Sequence, residues 1–396
     1  MEMYDVVIIG AGPAGISTAL HLECLAPHLV ERTLIIEKAR HPRPKLCGGG
    51  ILHDGLVILK ALGLDGTQLP LFRVSRAHFT FQGYETVFSS QPERALHIIR
   101  REPLDAWLAD AARKRGFTIH EEEPARQIIP GERFVEVVTS RNTYRARVVV
   151  GADGAHSLVR RTIAGNFRLP YSRALVLWVP PSEKSSHHPE DAYFDFTCMT
   201  QDIPGYVWDF PIIMDGQVMR CWGITDNNIG PHYPQRLRPF LAAEMARHGY
   251  RMEDHPLYGE SVPHFSPQNA FSAPHILLVG DAIGVDVLYG EGIAPALEYG
   301  RLAAEAIVDA GERNDFSFRN YRQRVLQSEM GKALRRRAAF AKTFFRLRSP
   351  VIQRWIWGRL SALVRWSTER FLVNWASGEP RGTIRTRNLG SHSEKW

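Results

Sequence analysis

The sequence is poor in cysteine. Its 396 residues contain only Cys24, Cys47, Cys198 and Cys221, and no two of these form a Cys-x-x-Cys pair. This spacing excludes a disulfide framework and a cysteine zinc site. His41, His53 and His156 are not spaced as ligands either, so we assign no metal. We expect the protein to work in a reducing compartment, the cytoplasm.

Long apolar runs are also missing. No stretch approaches the ~20 residues that a membrane-spanning helix needs. We expect no signal peptide, because the first apolar stretch begins directly after the initiator Met. A chain of 396 residues can bury a large core and form one to three structural units.

Acidic residues are scarce at the C-terminal end. Residues 331–396 contain 15 Lys and Arg against three Glu and no Asp, a charge of +12. The rest of the chain has 34 basic and 39 acidic residues, a charge of −5. The net charge of +7 therefore belongs to one segment, and that segment needs its own explanation.

Glycine, in contrast, stands at informative positions near the N-terminus. An apolar stretch at residues 3–9 predicts a buried strand, and Gly10-Ala11-Gly12-Pro13-Ala14-Gly15 leads from it into a helical stretch. In a dinucleotide-binding motif, Gly10 allows the tight turn, Gly12 lets the backbone approach a pyrophosphate and Gly15 lets the helix pack on the strand. The helix N-terminus then faces the phosphates. A second strand ends at Glu37, at the distance expected of a carboxylate that accepts ribose hydroxyls.

Two further apolar strands end in glycine turns. Residues 147–150 lead into Gly151-Ala152-Asp153-Gly154, and residues 275–279 lead into Gly280-Asp281-Ala282. A third turn, Tyr289-Gly290-Glu291-Gly292-Ile293, opens a helix predicted to reach residue 310. Asp153 either orients its loop near a pyrophosphate or only holds the turn.

The remaining pattern predicts an α/β fold with an inserted sheet. Residues 38–50 read as a loop, residues 51–62 as a helix, and residues 175–225 alternate with period two. We expect a Rossmann-type domain from residues 1–165 and 266–312, with residues 70–100 joining the sheet of a second domain. Residues 166–265 would form that antiparallel substrate-binding sheet, and residues 313–396 a basic helical C-terminal region.

Together these motifs resemble the FAD-dependent superfamily of para-hydroxybenzoate hydroxylase, and within it the geranylgeranyl reductases. The loop Arg43-Pro44-Lys45-Leu46-Cys47-Gly48-Gly49-Gly50 is similar to that subfamily's N-terminal loop. Its Gly-Tyr-x-Trp-x-Phe-Pro motif is intact at residues 205–211, and its Gly-Asp-Ala and Gly-Glu-Gly-Ile motifs stand at residues 280–282 and 290–293. The likeness covers residues 3–310 and leaves the C-terminal region outside.

The resemblance implies FAD as cofactor and a set of residues that hold it. Asp281 would bind the ribityl hydroxyls, and the turn before Ile293 would stabilise negative charge on the reduced flavin. Arg101 matches an arginine that approaches the diphosphate or the ribityl chain, the alternative being a surface helix cap. The implied cofactor-binding residues are Gly10, Gly12, Pro13, Ala14, Gly15, Glu37, Lys38, Cys47, Gly48, Arg101, Asp153, Gly280, Asp281, Gly290, Gly292 and Ile293.

Two features depart from the subfamily or limit what it implies. Tyr289 replaces the usual small hydroxyl residue, and the usual proline is missing after Asp286. Both positions should lie near the edge of the isoalloxazine, and both bear on the substrate more than on the cofactor. Only one dinucleotide fingerprint is present, so NAD(P)H would visit transiently or another electron donor, such as a protein, would replace it.

The strand at residues 205–211 suggests a substrate pocket. Tyr206, Trp208 and Phe210 share one face of a period-two strand. With Tyr193 or Phe194 and with Trp222 they would line an apolar pocket, the alternative being ordinary sheet core. Tyr206 and Trp208 are candidate catalytic residues. Cys47 is a third, because it either helps with protonation over the flavin or is a buried structural thiol.

The motifs favour a reductase that transfers hydride from reduced FAD to a double bond of a prenyl or other apolar substrate. The alternative is a monooxygenase that attacks an aromatic or polyketide substrate through a flavin hydroperoxide, since one fold serves both. A third reading is an electron carrier docked to a membrane partner. The halogenase branch is not matched, because its Trp-x-Trp-x-Ile-Pro pattern is absent.

The C-terminal region mixes arginines with tryptophans. Ile352, Ile356, Leu360 and Leu363 recur at helical spacing and predict an apolar stripe. We expect either a helical cap packed on the body or an interfacial segment on anionic lipid at the inner face of the membrane. A flavin pocket gives nucleic acid no reason to bind there, and no nucleic-acid partner is predicted.

Overall fold

A computed structural model describes residues 2–89, 95–165, 167, 169–230 and 237–360, together with residues 362, 365 and 375. Its helices are α1 Pro13–Leu25, α2 His53–Ala61, α3 Arg101–Lys114, α4 Leu158–Ala164, α5 Leu237–Arg247, α6 Ile293–Arg313, α7 Tyr321–Gln327, α8 Glu329–Phe344 and α9 Pro350–Arg359. Its strands are β1 Glu2–Ile9, β2 Thr33–Ile36, β3 Gly50–Ile51, β4 Phe72–Arg73, β5 Arg76–Phe81, β6 Tyr84–Ser89, β7 His97–Ile98, β8 Thr118–His120, β9 Ala125–Pro130, β10 Val135–Thr139, β11 Thr143–Gly151, β12 Tyr171–Val179, β13 Ala192–Asp195, β14 Gly205–Met214, β15 Gln217–Asp226, β16 Tyr258–Pro263, β17 Ser272–Ala273 and β18 Ile276–Leu278.

The main sheet is built around the predicted N-terminal strand. Its strand order is β17-β18-β11-β1-β2-β8, with β10 and β9 attached to β11, and β1 runs parallel to both β11 and β2. Strands of a parallel sheet that is covered on both faces are apolar, and β2 and β18 are buried at every position. The last five residues of β1 are buried, as that rule requires.

Helices α1 and α6 pack closely on each other beside this sheet. A Cβ atom at Gly300 would lie 2.6 Å from the Cβ of Ser17, so only glycine fits this crossing. The hydroxyl of Ser17 donates a hydrogen bond of 2.6 Å to the carbonyl oxygen of Leu297. The close contact holds the start of α6 beside the N-terminal glycine turn.

The second sheet has the order β16-β12-β15-β14-β13-β5-β6. Most of its pairs are antiparallel, as the alternating pattern predicts, but β13 and β5 pair in parallel. This pair joins the segment before α3 to the sheet domain, so the sheet is mixed rather than purely antiparallel. A small third sheet, β3-β7-β4, follows the Cys47 loop.

The C-terminal helices pack on the sheet domain and on the main domain. Trp357 of α9 is buried and stacks on Phe81 at 6.0 Å between ring centroids. Its indole N–H donates to Gln353 at 2.9 Å. Ile352 is 42% exposed and Ile356 is only partly buried, whereas positions 353 and 357 are buried against the body, so the predicted stripe is shifted by about one position.

Of the other residues of the predicted stripe, Ile356 is partly buried against the aromatic core of the second sheet and Leu360 is partly buried. Leu363 lies outside the described residues. Within the part of the chain that the structure describes, no helix combines the length and apolar character needed to cross a bilayer.

Candidate active site

A cavity of about 1390 Å³ opens at the carboxyl ends of β1, β2, β11 and β18 and extends to the second sheet. Ligands of open α/β sheets bind at this edge. Of the residues predicted to hold the cofactor, all but Gly15 line the cavity. The cavity exceeds the ~300–1,000 Å³ of a typical single-ligand pocket, so it has room for a cofactor and a second molecule.

The N-terminal turn has the close contacts that its glycines require. Gly10 has a φ of +109°, and a Cβ atom there would lie 2.3 Å from the carbonyl oxygen of Ala152. A Cβ at Gly15 would lie 2.0 Å from the carbonyl oxygen of Gly10. Gly15 therefore serves the packing of α1 on the strand, and this explains why it is absent from the cavity wall.

Gly12 faces open space bounded by two arginines. A Cβ at this position would lie 3.6 Å from Nη2 of Arg43 and 3.9 Å from Nη2 of Arg101. Helix α1 begins at the next residue, Pro13, and the free N–H groups of its first turn point toward the same space. Two cations and a helix N-terminus suit a polyanion such as a diphosphate.

Arg101 is not a surface residue, because only 12% of its side chain is exposed. Its guanidinium forms two hydrogen bonds with Asp105, at 2.8 and 2.9 Å. Burial alone would lower the pKa of Arg101, but the paired carboxylate outweighs burial and raises it. The arginine is therefore held as a fixed cation on the cavity wall.

Arg43 is a site residue that the sequence reasoning did not find. Its Nη2 lies 3.4 Å from Asp105 and its Nε lies 3.4 Å from Glu37. Nε is buried and has no hydrogen-bond partner among the described residues. No spacing pattern in the sequence identifies Arg43, because it lies in an irregular loop and its partners Glu37 and Asp105 belong to other parts of the chain.

Glu37 lies at the end of β2 and is 3% exposed. Its Oε2 accepts a hydrogen bond of 2.9 Å from the N–H of Ala11, and its Oε1 accepts one of 3.1 Å from the N–H of Ala39. The carboxylate thus braces the glycine turn, and each oxygen keeps a second lone pair for a hydroxyl. Lys38 is exposed at the edge of the same cavity.

Asp153 holds its turn and also lies on the cavity wall. Its Oδ2 accepts hydrogen bonds from the N–H groups of Leu158, at 2.6 Å, and Val159, at 3.2 Å, and so holds the turn into α4. It also lines the cavity, and its Oδ1 is buried without a partner among the described residues. Burial raises the pKa of Asp153.

The turns after β18 form the opposite wall. Asp281 lines the cavity in a short turn where Gly280 has a φ of +61°. A Cβ at Gly292 would lie 3.7 Å from Oδ1 of Asp281, so the two predicted cofactor turns meet here. Helix α6 then begins at Ile293 with its N-terminus at the cavity.

Residues 286–292, which we name the 286–292 loop, carry four residues of the cavity wall: Tyr289, Gly290, Glu291 and Gly292. Asp286 accepts hydrogen bonds from the N–H groups of Leu288, at 2.9 Å, and Tyr289, at 3.3 Å. The hydroxyl of Tyr206 donates to the carbonyl oxygen of Tyr289 at 2.6 Å. The loop is therefore tied to the second sheet.

Aromatic rings cover the part of the cavity next to the second sheet. They belong to Phe79, Phe88, Phe194, Tyr206, Trp208, Phe210 and Tyr289. We call these seven residues the aromatic wall. The predicted pocket strand thus contributes three neighbouring rings, and Phe194 packs on Phe210 at 4.9 Å between centroids.

Tyr193 and Trp222, which were also considered for this pocket, lie on the other face of the sheet. Cross-strand pairing decides this: Tyr193 and Trp222 both pair with Asp209, whereas Phe194 and Gly223 pair with Trp208. Paired residues point to the same face. Trp222 is therefore packed in the core on the other face, and the prediction that it lines the pocket is wrong.

Cys47 lies on the cavity wall and is partly exposed. Its Sγ accepts a hydrogen bond of 3.3 Å from the N–H of Gly49. The next residue, Gly48, is close to the aromatic wall, because a Cβ there would lie 3.5 Å from Nε1 of Trp208. A fully buried structural thiol, the alternative considered above, does not describe this position.

The sequence is similar to those of known FAD-binding proteins. Residues 3–196 match the family described as FAD binding domain. Over 330 residues the chain is 28% identical to the digeranylgeranylglycerophospholipid reductase of Thermoplasma volcanium, covering 80% of this chain and 81% of that protein.

Solved structures share the fold. A geranylgeranyl bacteriochlorophyll reductase-like protein of Thermoplasma acidophilum matches with a TM-score of 0.70 and 22% identity, covering 94% of this chain and 100% of that one. PqsL of Pseudomonas aeruginosa, a probable FAD-dependent monooxygenase, matches with a TM-score of 0.65 and 18% identity, covering 88% and 98%. At these identities the likeness establishes the fold, which is the predicted α/β fold with a second sheet and a helical C-terminal region.

Proposed function

The chain is an FAD-dependent oxidoreductase related to the geranylgeranyl reductases, and from this premise we propose that it reduces carbon–carbon double bonds of a prenyl or similarly extended apolar substrate. The observation that carries the proposal is the aromatic wall. It adjoins the cofactor turns within one cavity, so an apolar chain in it would reach the cofactor without crossing solvent.

The residues of the cavity suit FAD. Arg43, Arg101 and the start of α1 would hold the diphosphate, and Glu37 would accept the adenosine ribose hydroxyls. Asp281 would accept hydroxyls of the ribityl chain. FAD, when bound, supplies the electron pair for the reduction.

The protein must supply a proton, because reduction of an isolated double bond requires protonation together with electron transfer. Cys47 is the thiol on the cavity wall beside the aromatic wall, and we assign it the role of proton donor. Burial raises the pKa of Tyr206, and its hydroxyl is committed to Tyr289. Tyr206 therefore positions the loop rather than acting as the acid.

The aromatic wall has two further effects. Its rings bind an apolar chain by surface burial, at about 25 cal/mol per Å². They also exclude water from the reacting end of the cavity, where bulk water would compete for protons. Trp208 contributes to both, since its ring lies against the Cys47 loop.

A membrane-resident substrate needs a route into the cavity, and we propose that α9 provides it by resting on anionic lipid. Val351, Ile352 and Trp355 are 71%, 42% and 53% exposed on this helix. Arg354 and Arg359 are exposed beside them. Apolar and aromatic groups next to basic side chains match the surface of an anionic bilayer. The other face of α9, with Trp357, packs on the aromatic core of the second sheet.

Anaerobic single turnover tests the reduction. The FAD-loaded protein is reduced with dithionite and incubated with prenyl alcohols, prenyl lipids and aromatic acids, and the products are analysed by mass spectrometry. We expect a prenyl compound to gain pairs of hydrogen atoms, and Cys47→Ala to slow this gain at least tenfold. A product that forms only with dioxygen and carries its isotopically labelled oxygen would replace the proposal with a monooxygenase.

The same preparation identifies the reductant. NADH and NADPH are added anaerobically to the oxidised protein, and loss of the yellow absorbance is followed. Rapid bleaching by one of them supports transient NAD(P)H binding, whereas no bleaching assigns the reduction to a donor protein.

A further inference from the structure

Arg337 is a fully buried cation in the C-terminal region, a part of the chain that the sequence motifs leave outside the cofactor domain. It lies on α8 and is 2% exposed. Its Nη1 donates to Oε2 of Glu291 at 2.8 Å and to Oδ2 of Asp286 at 3.3 Å. Both carboxylates belong to the 286–292 loop, so a helix distant in sequence is fastened to the cavity wall.

The loop is held from two sides by these contacts. The second sheet holds it through Tyr206 and the carbonyl oxygen of Tyr289. Helix α8 holds it through Arg337. Gly290, with a φ of +70°, lies between these attachments, and Gly292 follows them directly before α6. Residues 290–292 belong to neither a helix nor a strand. The direction of their backbone N–H groups therefore depends on the contacts that hold the loop to β14 and α8.

We propose that Arg337 is a positioning residue for the cofactor: by fixing Glu291 and Asp286 it sets the direction in which the Gly290–Gly292 backbone faces the cavity. The proposal rests on FAD binding and not on the identity of the substrate. It makes the C-terminal region a component of the active site rather than an accessory to it.

The physical reason lies in the cost of burying charge. Asp286 and Glu291 are only 1% and 8% exposed, and buried carboxylates are tolerated when a cation pairs with them. Both hydrogen bonds come from Nη1, whose two N–H groups lie in the fixed plane of the guanidinium. A lysine ammonium is a more strongly hydrated point charge without that fixed geometry. Without this cation, the carboxylates of Asp286 and Glu291 would have to become hydrated or protonated. Either change would alter the conformation of the loop.

The test compares four variants of the full-length protein. Arg337→Met removes the cation, and Arg337→Lys keeps the charge without the planar guanidinium. Arg337→Met combined with Glu291→Gln, measured at pH 8, above the pKa of about 7 of Glu291, removes one positive and one negative charge and leaves the net charge unchanged. Arg336→Met on the exposed face of α8 is the matched control. The measurements are the dissociation constant of FAD, its visible spectrum, its midpoint potential and the thermal stability of the protein.

We expect Arg337→Met to bind FAD at least tenfold more weakly, Arg337→Lys to recover part of this loss and Arg336→Met to match the wild type. The double variant should regain part of the thermal stability, because it has no buried carboxylate at position 291, whereas Asp286 still lacks its cation. Its FAD spectrum should stay altered. Its midpoint potential should stay shifted by about 30 mV, which for a two-electron couple corresponds to a tenfold change in the ratio of the affinities for oxidised and reduced FAD.

Two outcomes would overturn the proposal. If the double variant regains stability, spectrum and potential together, Arg337 only stabilises the fold. If Arg337→Met binds FAD with wild-type affinity, spectrum and potential, the loop does not depend on Arg337. Should Arg337→Met fail to fold, Arg337→Lys and the double variant decide between the same outcomes. Neither result bears on whether prenyl substrates are reduced.

Discussion

The hydroxyl of Tyr206 and the main-chain carbonyl of Tyr289 are joined by a hydrogen bond of 2.6 Å. This bond connects β14, which carries three rings of the aromatic wall, to the 286–292 loop, which carries cofactor-side residues. Burial raises the pKa of Tyr206, so the hydroxyl keeps the proton that it donates. The substrate side and the cofactor side of the cavity are therefore mechanically linked.

The ring of Tyr289 limits the space available to an apolar chain. It stands edge-on to Phe79, at 6.2 Å and 89°, and to Phe194, at 6.5 Å and 77°. Tyr289→Thr keeps the carbonyl that Tyr206 binds but removes the ring. We expect the variant to prefer longer prenyl alcohols over shorter ones by severalfold relative to the wild type, with FAD affinity unchanged. Ligand-induced quenching of tryptophan fluorescence measures the ratio, and the exposed Tyr171→Thr is the control. An unchanged ratio would show that the ring does not limit chain length.

The glycine turns illustrate what could be predicted from local sequence. A Cβ at Gly15 would collide with the carbonyl oxygen of Gly10 within the same turn, so the need for this glycine follows from local sequence. A Cβ at Gly10 would collide with Ala152 in the turn after β11, so that contact is made only in the folded sheet. The position of Glu37 could also be predicted, since its partners Ala11 and Ala39 belong to the two turns already recognised.

Long-range pairing accounts for what was missed. The period of two around Trp208 correctly predicted which residues of β14 share a face, but the register with β15 decides that Gly223, not Trp222, lies beside Trp208. Arg337 meets Glu291 across 46 residues, and no periodicity signals that meeting. The stripe predicted from Ile352 fails for a similar reason: the large ring of Trp357 finds aromatic partners on the second sheet and fixes the rotation of α9.

Arg43 offers a second test of cofactor binding. Its buried Nε has no hydrogen-bond partner among the described residues, and its Nη2 lies near the Gly12 space. A hydrogen bond to a charged group contributes about 1.5–3 kcal/mol. We therefore expect Arg43→Met to weaken FAD binding by about tenfold to a hundredfold. Arg40→Met, an exposed position in the same loop, is the control, and equilibrium dialysis measures both. Equal affinities in the two variants would remove Arg43 from the site.

Glu291 should make stability depend on pH. Burial raises its pKa to about 7, opposed by Arg337 and supported by Asp54 and Asp286. An unfolded Glu has a pKa of about 4.3. Between these values the folded protein keeps a proton that the unfolded chain releases, so Glu291 costs stability as the pH rises through this window.

The comparison of Glu291→Gln with the wild type isolates this effect, because Gln does not titrate. We expect the variant to gain stability relative to the wild type as the pH rises from about 5 to about 7, and the difference to level off above that range. Urea unfolding of the FAD-saturated proteins gives the difference at each pH. Glu312→Gln, at an exposed position of α6, should run parallel to the wild type. A parallel course for Glu291→Gln as well would mean that Glu291 does not hold a proton in the folded protein.

The exposed surface of α9 should bind anionic lipid. Trp355 and Val351 are among the most exposed large apolar side chains of the described residues, and exposed arginines flank them. Each basic residue close to an anionic bilayer contributes about 1 kcal/mol, and salt screens this attraction. We expect the protein to float with phosphatidylglycerol vesicles at low salt, to float less at high salt, and not to float with neutral vesicles. Trp355→Ser and the double variant Arg354→Ser, Arg359→Ser should each reduce the bound fraction, whereas Phe167→Ser, at an exposed apolar residue before β12, should not. If the wild-type protein stays in solution with anionic vesicles at low salt, lipid is excluded as the partner of α9. If Phe167→Ser and Trp355→Ser reduce the bound fraction equally, the attraction to lipid is not specific to this helix.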